Sequence, residues 1–133
     1  MIALDASVLV AHFARHDSHH EDATRLLTQL TGQGLVIHAV NLAEVLVGGV
    51  RQGRGQAMQR DCEAMGIRVV VPEDGEPLRL ATLRAATGLR MPDCCVLDTA
   101  ITHQADLATF DDALAAAARH AGLQVLTRAV AFA

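Results

Sequence analysis

LRMPDCCVLDTA, residues 89–100, reads as the opening of a helix with a carboxylate in its first turn. Pro92 suits a helix start, where its missing N–H costs nothing. Asp93 beside it is favoured by the positive end of the helix dipole. Val96, Leu97, Ala100 and Ile101 then supply a largely apolar helical face. A buried helix therefore carries Asp93 at its tip. Asp5, Glu44 and Asp111 are expected to gather at the same place.

Working outward, IAL (2–4) is a short apolar run ending at Asp5, and a helix is expected from about Ser7. Ser18 stands three residues before Glu21, a capping-box spacing, ahead of a helix over about 19–31. LVIHAV (35–40) reads as a second strand, after which Asn41 is expected to cap the helix that carries Glu44. A helix over about 56–65 leads to IRVVV (67–71), a β-branched run bounded by Gly and Pro. Helices over about 77–87 and 92–104 follow. ADLAT (105–109) is a fourth strand with Asp111 just past its end. A helix over 112–121 and an edge strand at 123–127 complete the pattern.

Strands alternating with helices predict an α/β domain with a mostly parallel sheet. In such sheets ligands bind beyond the carboxyl ends of the strands. Asp5 and Asp111 are placed at strand ends, and Glu44 and Asp93 in first turns of helices, so the four acids share one rim. Each has a plainer reading alone. Asp5 and Asp111 could cap helices; Glu44 could close a capping box with Asn41; Asp93 could serve the dipole. Together they would repel strongly. The chain contains no Lys to neutralise them. A divalent cation is the natural counter-charge, and an all-oxygen set suits Mg²⁺ or Mn²⁺ rather than zinc.

The 133 residues correspond to about one domain. Net charge is −4, so no overall field attracts nucleic acid. Any such binding needs a local Arg cluster or metal held by acids. Arg90, three residues before Asp93, is a candidate phosphate contact; Arg51, Arg54 and Arg60 are either a phosphate patch or a solvated face. Three Phe and no Trp or Tyr leave few platforms for stacking bases. Cys62, Cys94 and Cys95 have neither metal-ligand spacing nor an even count, which points to buried thiols in a reducing cytoplasm. No apolar run reaches membrane-span length, and the start lacks the basic region of a signal peptide. His12 and His16 have the spacing of a helical metal pair without the remaining residues of a zinc site. Asp98, about 140° around the helix from Asp93, is expected to face elsewhere, towards an interface. Asp106 begins a strand at the opposite rim, and Asp112 rivals Asp111 as cap or ligand.

With these residues in view, the chain resembles the PIN-domain ribonucleases, specifically VapC-type toxins of bacterial toxin–antitoxin pairs. I-A-L-D-A-S-V-L-V is similar to the family's first motif and N-L-A-E-V-L to its second. R-M-P-D-C-C-V-L-D-T-A resembles the third, and A-D-L-A-T-F-D-D-A-L the fourth, a strand ending T-x-D. The third motif departs at Cys94 and Asp98, where small residues are usual. The resemblance implies one PIN domain over residues 1–133, a three-layer α/β/α sandwich with a sheet of four to five strands. It implies Mg²⁺- or Mn²⁺-dependent RNA cleavage, with Asp5, Glu44, Asp93 and Asp111 as catalytic and metal-binding residues. Ser7 becomes a pocket hydroxyl, alongside Arg90 on the substrate. A VapB-type antitoxin, an RNA substrate and a homodimer are the implied partners. A PIN-domain RNA-processing nuclease without a toxin role, and a catalytically silent metal- or RNA-binding module, are the competing readings. A phosphoacceptor receiver is disfavoured because it would need a Lys.

Overall fold

The computed structural model describes residues 1–128; residues 129–133, the tail of the expected domain, lie outside the described residues. Its elements run β1 (Ile2–Leu4), α1 (Ala6–Phe13), α2 (His20–Leu30), β2 (Leu35–His38), α3 (Ala39–Arg51), α4 (Gly55–Ala64), β3 (Ile67–Val70), α5 (Glu76–Thr87), α6 (Met91–Thr102), β4 (Asp106–Ala108), α7 (Asp112–His120) and β5 (Val125–Leu126). Every strand pairing is parallel, in the order β3-β2-β1-β4-β5.

β1 and β2 are buried throughout because both faces of the sheet are covered there, as all-parallel sheets require, whereas the edge strand β3 exposes Arg68 and Val69. Ile2, Leu4, Leu35, Ile37 and Ile67 pack against α1–α4 residues such as Leu9, Leu26, Leu30 and Leu42. Their neighbours Ala3, Val36, Val70 and Leu107 face the other way, against Leu97, Ala100, Leu114 and Ala118 of α6 and α7. The period-2 alternation of side chains along a strand thus builds two cores and three layers. Cys62, Cys94 and Cys95 are buried free thiols, as expected from their count.

Three expected boundaries shift. β2 ends at His38, so α3 begins three residues earlier than the reading of Asn41 as cap implies. The cap is His38: its Nδ1 accepts the Val40 N–H at 3.0 Å, which leaves Nε2 to donate to Glu76 Oε1 at 2.6 Å. Asn41 is instead buried inside the first turn, and Glu44 lies in the second turn rather than the first. The capping-box reading of Glu44 falls with that shift. Likewise α2 is capped at His19 without a side-chain bond, so the Ser18–Glu21 spacing forms no box.

Strand order decides where a ligand can sit. The chain runs outward from β1 through β2 to β3, then returns across β1 to add β4 and β5 on the other side. The connections leaving β1 and β4 therefore diverge, and the crevice between their carboxyl ends is the topological switch point of the sheet.

Candidate active site at the sheet switch point

Asp5 follows β1 directly, and its N–H donates to the Ala108 carbonyl at the end of β4 at 2.9 Å. It occupies the N-cap position of α1, yet its side chain makes no cap bond. The carboxylate is held sideways instead. Ser7 Oγ donates to Asp5 Oδ2 at 2.6 Å and Thr109 Oγ1 donates to the same oxygen at 2.7 Å. Both hydroxyls are themselves oriented by backbone: the Phe110 N–H donates to Ser7 Oγ at 3.0 Å and the Asp111 N–H to Thr109 Oγ1 at 2.9 Å. A hydroxyl that accepts from an amide has its proton free to donate onward. The two relays fix the Asp5 carboxylate through one oxygen, and Oδ1 accepts no hydrogen bond from the described residues. Asp5 is 6 % exposed, so this arrangement is sheltered from competing water.

Asp93 lies in the first turn of α6, as its sequence context predicts, and is 8 % exposed. The tip of α6 is tied to α3 by Asn41, whose Nδ2 donates to the Pro92 carbonyl at 3.0 Å. Glu44 stands on α3 three residues beyond that strap. Asp111 caps α7, accepting the Leu114 N–H on Oδ1 at 2.9 Å. Its plainer reading therefore holds for one oxygen, while Asp112 is exposed.

The acids sense one another. Burial raises the Asp93 pKa above the ordinary carboxylate value; Arg90 opposes the rise, and the charges of Asp5 and Asp111 add to it. Glu44 is also raised, first by partial desolvation, then by Asp5 against the pull of Arg90, with Asp93 adding. Arg90 is the nearby cation, its Nε 3.6 Å from Asp93 Oδ2, but its side chain is 78 % exposed and screened by water. Negative charge on this rim is thus only partly compensated.

That donor set fits a hard divalent cation: every candidate ligand is a carboxylate oxygen, and Asp5 Oδ1 is free of protein hydrogen bonds. Among the described residues, no three His, Cys, Asp or Glu side chains are placed so that together they could hold a metal ion, so the four acids do not converge on one coordination site as the sequence suggested. The acids stand within range of each other's charge rather than within a shared bond length. A wide-set cluster of this kind suits Mg²⁺, which binds through one or two carboxylates and keeps several waters. One buried polar atom near the rim is unsatisfied, Asn41 Oδ1.

Other expected residues fall elsewhere. Asp98 is buried and faces away from the rim, as the helix angle predicts, but it meets Arg79 within the chain, with contacts of 2.9 and 3.3 Å. Arg51 is about 10 Å further along α3 than Glu44 by helix rise. Arg54 and Arg60 line a groove of about 540 Å³ between α3 and α4 that contains none of the four acids. His12 Nδ1 is engaged with Thr24 Oγ1 at 3.0 Å, and His12 belongs to no metal-ligating group among the described residues. Two residues of the site were not expected there: Thr109, which donates to Asp5, and Asn41, which was expected only as a cap. The T-x-D spacing at a strand end was the available signal for Thr109. None marked Asn41 as a strap, because its context equally suits a cap.

Among curated proteins, none matches the chain significantly. Solved structures do. A toxin–antitoxin complex from Klebsiella pneumoniae superposes with TM-score 0.71 at 22 % identity, over 84 % of this chain and 87 % of that one. VapC20 of Mycobacterium tuberculosis, a toxin that cleaves the sarcin–ricin loop, gives TM-score 0.73 at 19 % identity, over 88 % and 95 %. VapBC2 from Rickettsia felis, bound to a DNA fragment from its promoter, gives 0.69 at 17 % identity, over 95 % and 98 %. The PIN domain family profile matches residues 2–128. With that match over nearly the whole length, and the parallel α/β sheet that carries it, this chain belongs to the PIN-domain family.

Proposed function

We propose that this chain is a Mg²⁺- or Mn²⁺-dependent endoribonuclease acting as the toxin of a toxin–antitoxin pair. The observation that carries the reading is the Asp5 carboxylate. Two hydroxyls lock one of its oxygens, and the other is left free on a rim shared with Glu44, Asp93 and Asp111. Such directional fixing serves a ligand that needs an oxygen in one place. Membership of the PIN-domain family, and the toxins among the structurally similar proteins, support the same reading.

In this scheme Asp5 and Asp93 are the principal ligands, and Glu44 and Asp111 complete the acidic cluster. A divalent cation bound there supplies activated water and neutralises charge on the scissile phosphodiester. Ser7 and Thr109 hold Asp5 in one rotamer through the reaction. Arg90, exposed at the edge of the cluster, releases Asp93 and contacts a phosphate of the substrate. In-line attack by water leaves 5′-phosphate and 3′-hydroxyl ends. Glu44 and Arg90 are exposed at the edge of the cluster, where a polymer can reach it. A small antitoxin encoded alongside, a homodimer and a cytoplasmic setting belong to the same proposal.

The test is cleavage of structured RNA in Mg²⁺ against EDTA. Asp5→Asn and Asp93→Asn should each lower the rate by about two orders of magnitude or more, as expected for loss of an electrostatic contribution to the transition state. Undiminished cleavage by either variant removes the site. Expression without any antitoxin should arrest growth; harmless expression of an active enzyme would leave a nuclease without a toxin role.

A further inference from the structure

We propose that His19 and Phe110 form a nucleobase-stacking platform at the edge of the acidic rim. The inference deepens the nuclease reading and rests on it only for the nature of the ligand. The two rings are stacked with centroids 4.9 Å apart and planes 14° from parallel. Phe110 lies between Thr109, which donates to Asp5, and Asp111. Its backbone N–H is the group that orients Ser7. The platform is therefore built into the relay that holds Asp5, with Phe110 directly preceding Asp111.

Both rings are anchored. Phe110 packs partly against the core under α1–α4. His19 sits at the N-cap position of α2, its N–H donating to Asp17 Oδ1 at 2.8 Å and its carbonyl accepting from the Ala23 N–H at 2.8 Å. One face of the imidazole rests on Phe110, and the residue is exposed. A base that lands on the outer face extends an existing stack without first ordering it. Base–aromatic stacking tolerates any base, because each has a π-face.

The chain's composition makes the position informative. With three Phe and no Trp or Tyr, few rings are available. The other ring pairs, His12 with Phe13 and His12 with His20, use half-buried rings. Among the described residues, the pair with an exposed ring is the one beside the acids. Flat, parallel ring geometry next to groups suited to phosphate chemistry favours a nucleotide over a protein side chain.

The experiment uses a short single-stranded oligoribonucleotide carrying one 2-aminopurine, and an abasic twin, with cleavage blocked by Asp93→Asn. Emission of 2-aminopurine should be quenched on binding. His19→Ala and Phe110→Leu should abolish the quench and weaken binding about tenfold, while the abasic twin binds each variant about as well as its parent. Phe110→Leu keeps the apolar packing, and His19→Ala alters an exposed residue, so folding is not the variable. Quenching unaltered in both variants, or equal weakening of the abasic twin, overturns the platform. Affinity for both oligonucleotides that ignores both substitutions also overturns it and leaves the rings to a protein partner. Quenching by a wild-type chain that never cleaves RNA in Mg²⁺ sinks the nuclease reading while upholding the platform. Cleavage together with a quench that His19→Ala leaves unchanged sinks the platform alone.

Discussion

Replacing Ser7 by alanine tests the logic of the site more directly than removing an acid. The hydroxyl donates to Asp5 Oδ2 at 2.6 Å and accepts the Phe110 N–H at 3.0 Å. A hydrogen bond to a charged group contributes about 1.5–3 kcal/mol. Thr109 still serves the same oxygen at 2.7 Å, which places the first loss near the lower end. The Phe110 amide is left without its acceptor, at a cost of about 1 kcal/mol for a half-buried group. The total is about 2.5 kcal/mol. For a chain of 133 residues, unfolding entropy of roughly 0.28 kcal/mol/K converts that to a Tm lower by about 9 °C. Thermal unfolding without added metal reads it. Mechanism is separated from general destabilisation by a double-mutant cycle with Asp5→Ala. If Ser7 acts through Asp5, the pair should be non-additive by about 1 kcal/mol or more. A Tm within about 2 °C of the parent, or effects that add within about 0.5 kcal/mol, would refute the relay.

Three further outcomes are expected. Mg²⁺ or Mn²⁺ should stabilise the chain by about 2.7 kcal/mol at a hundredfold excess over Kd, and Asp93→Asn should abolish most of that shift in thermal melts. Because the folded Asp93 pKa is raised, its ionisation opposes folding increasingly as pH rises through that value. The metal-dependent gain should therefore grow as pH rises from the ordinary carboxylate range through the raised value. Arg79→Leu should lower the Tm, since it leaves the buried Asp98 carboxylate without its partner; per folded molecule, RNA cleavage should be unchanged because the pair lies off the rim. Burial pushes the Cys62 and Cys95 thiols up to about 11. Alkylation at pH 8 should then wait on unfolding. Stability should fall as pH climbs from the ordinary thiol value towards 11, because only the unfolded chain releases those protons there.

Much of this was legible from local chemistry. The alternation of short apolar runs with helical periods led to an all-parallel α/β sheet, since strands buried on both faces must be apolar throughout. Pro92 and Asp93 marked the start of α6, because a missing N–H and a negative charge both suit a helix N-terminus. Where two local devices compete, sequence could not choose. LVIHAV followed by Asn41 offered a longer strand with a polar cap. The chain instead turned at His38, whose imidazole reaches Glu76 on α5, thirty-eight residues away. With His38 as the cap, Glu44 falls in the second turn rather than the first, and Asn41 serves as a strap on α6.

The amino-acid order alone determined which residue types stand at strand ends and helix starts, and therefore which acids could meet. Tertiary structure decided the strand order that places β1 beside β4. It also decided that Thr109 and Ser7 share one oxygen of Asp5, and that an exposed His19 lies flat on Phe110. The reason is physical. Propensity and capping act over a few residues, whereas Thr109 meets Asp5 across 104 positions and His19 meets Phe110 from the far side of the sequence, contacts that exist only once the sheet has brought the ends of its strands together.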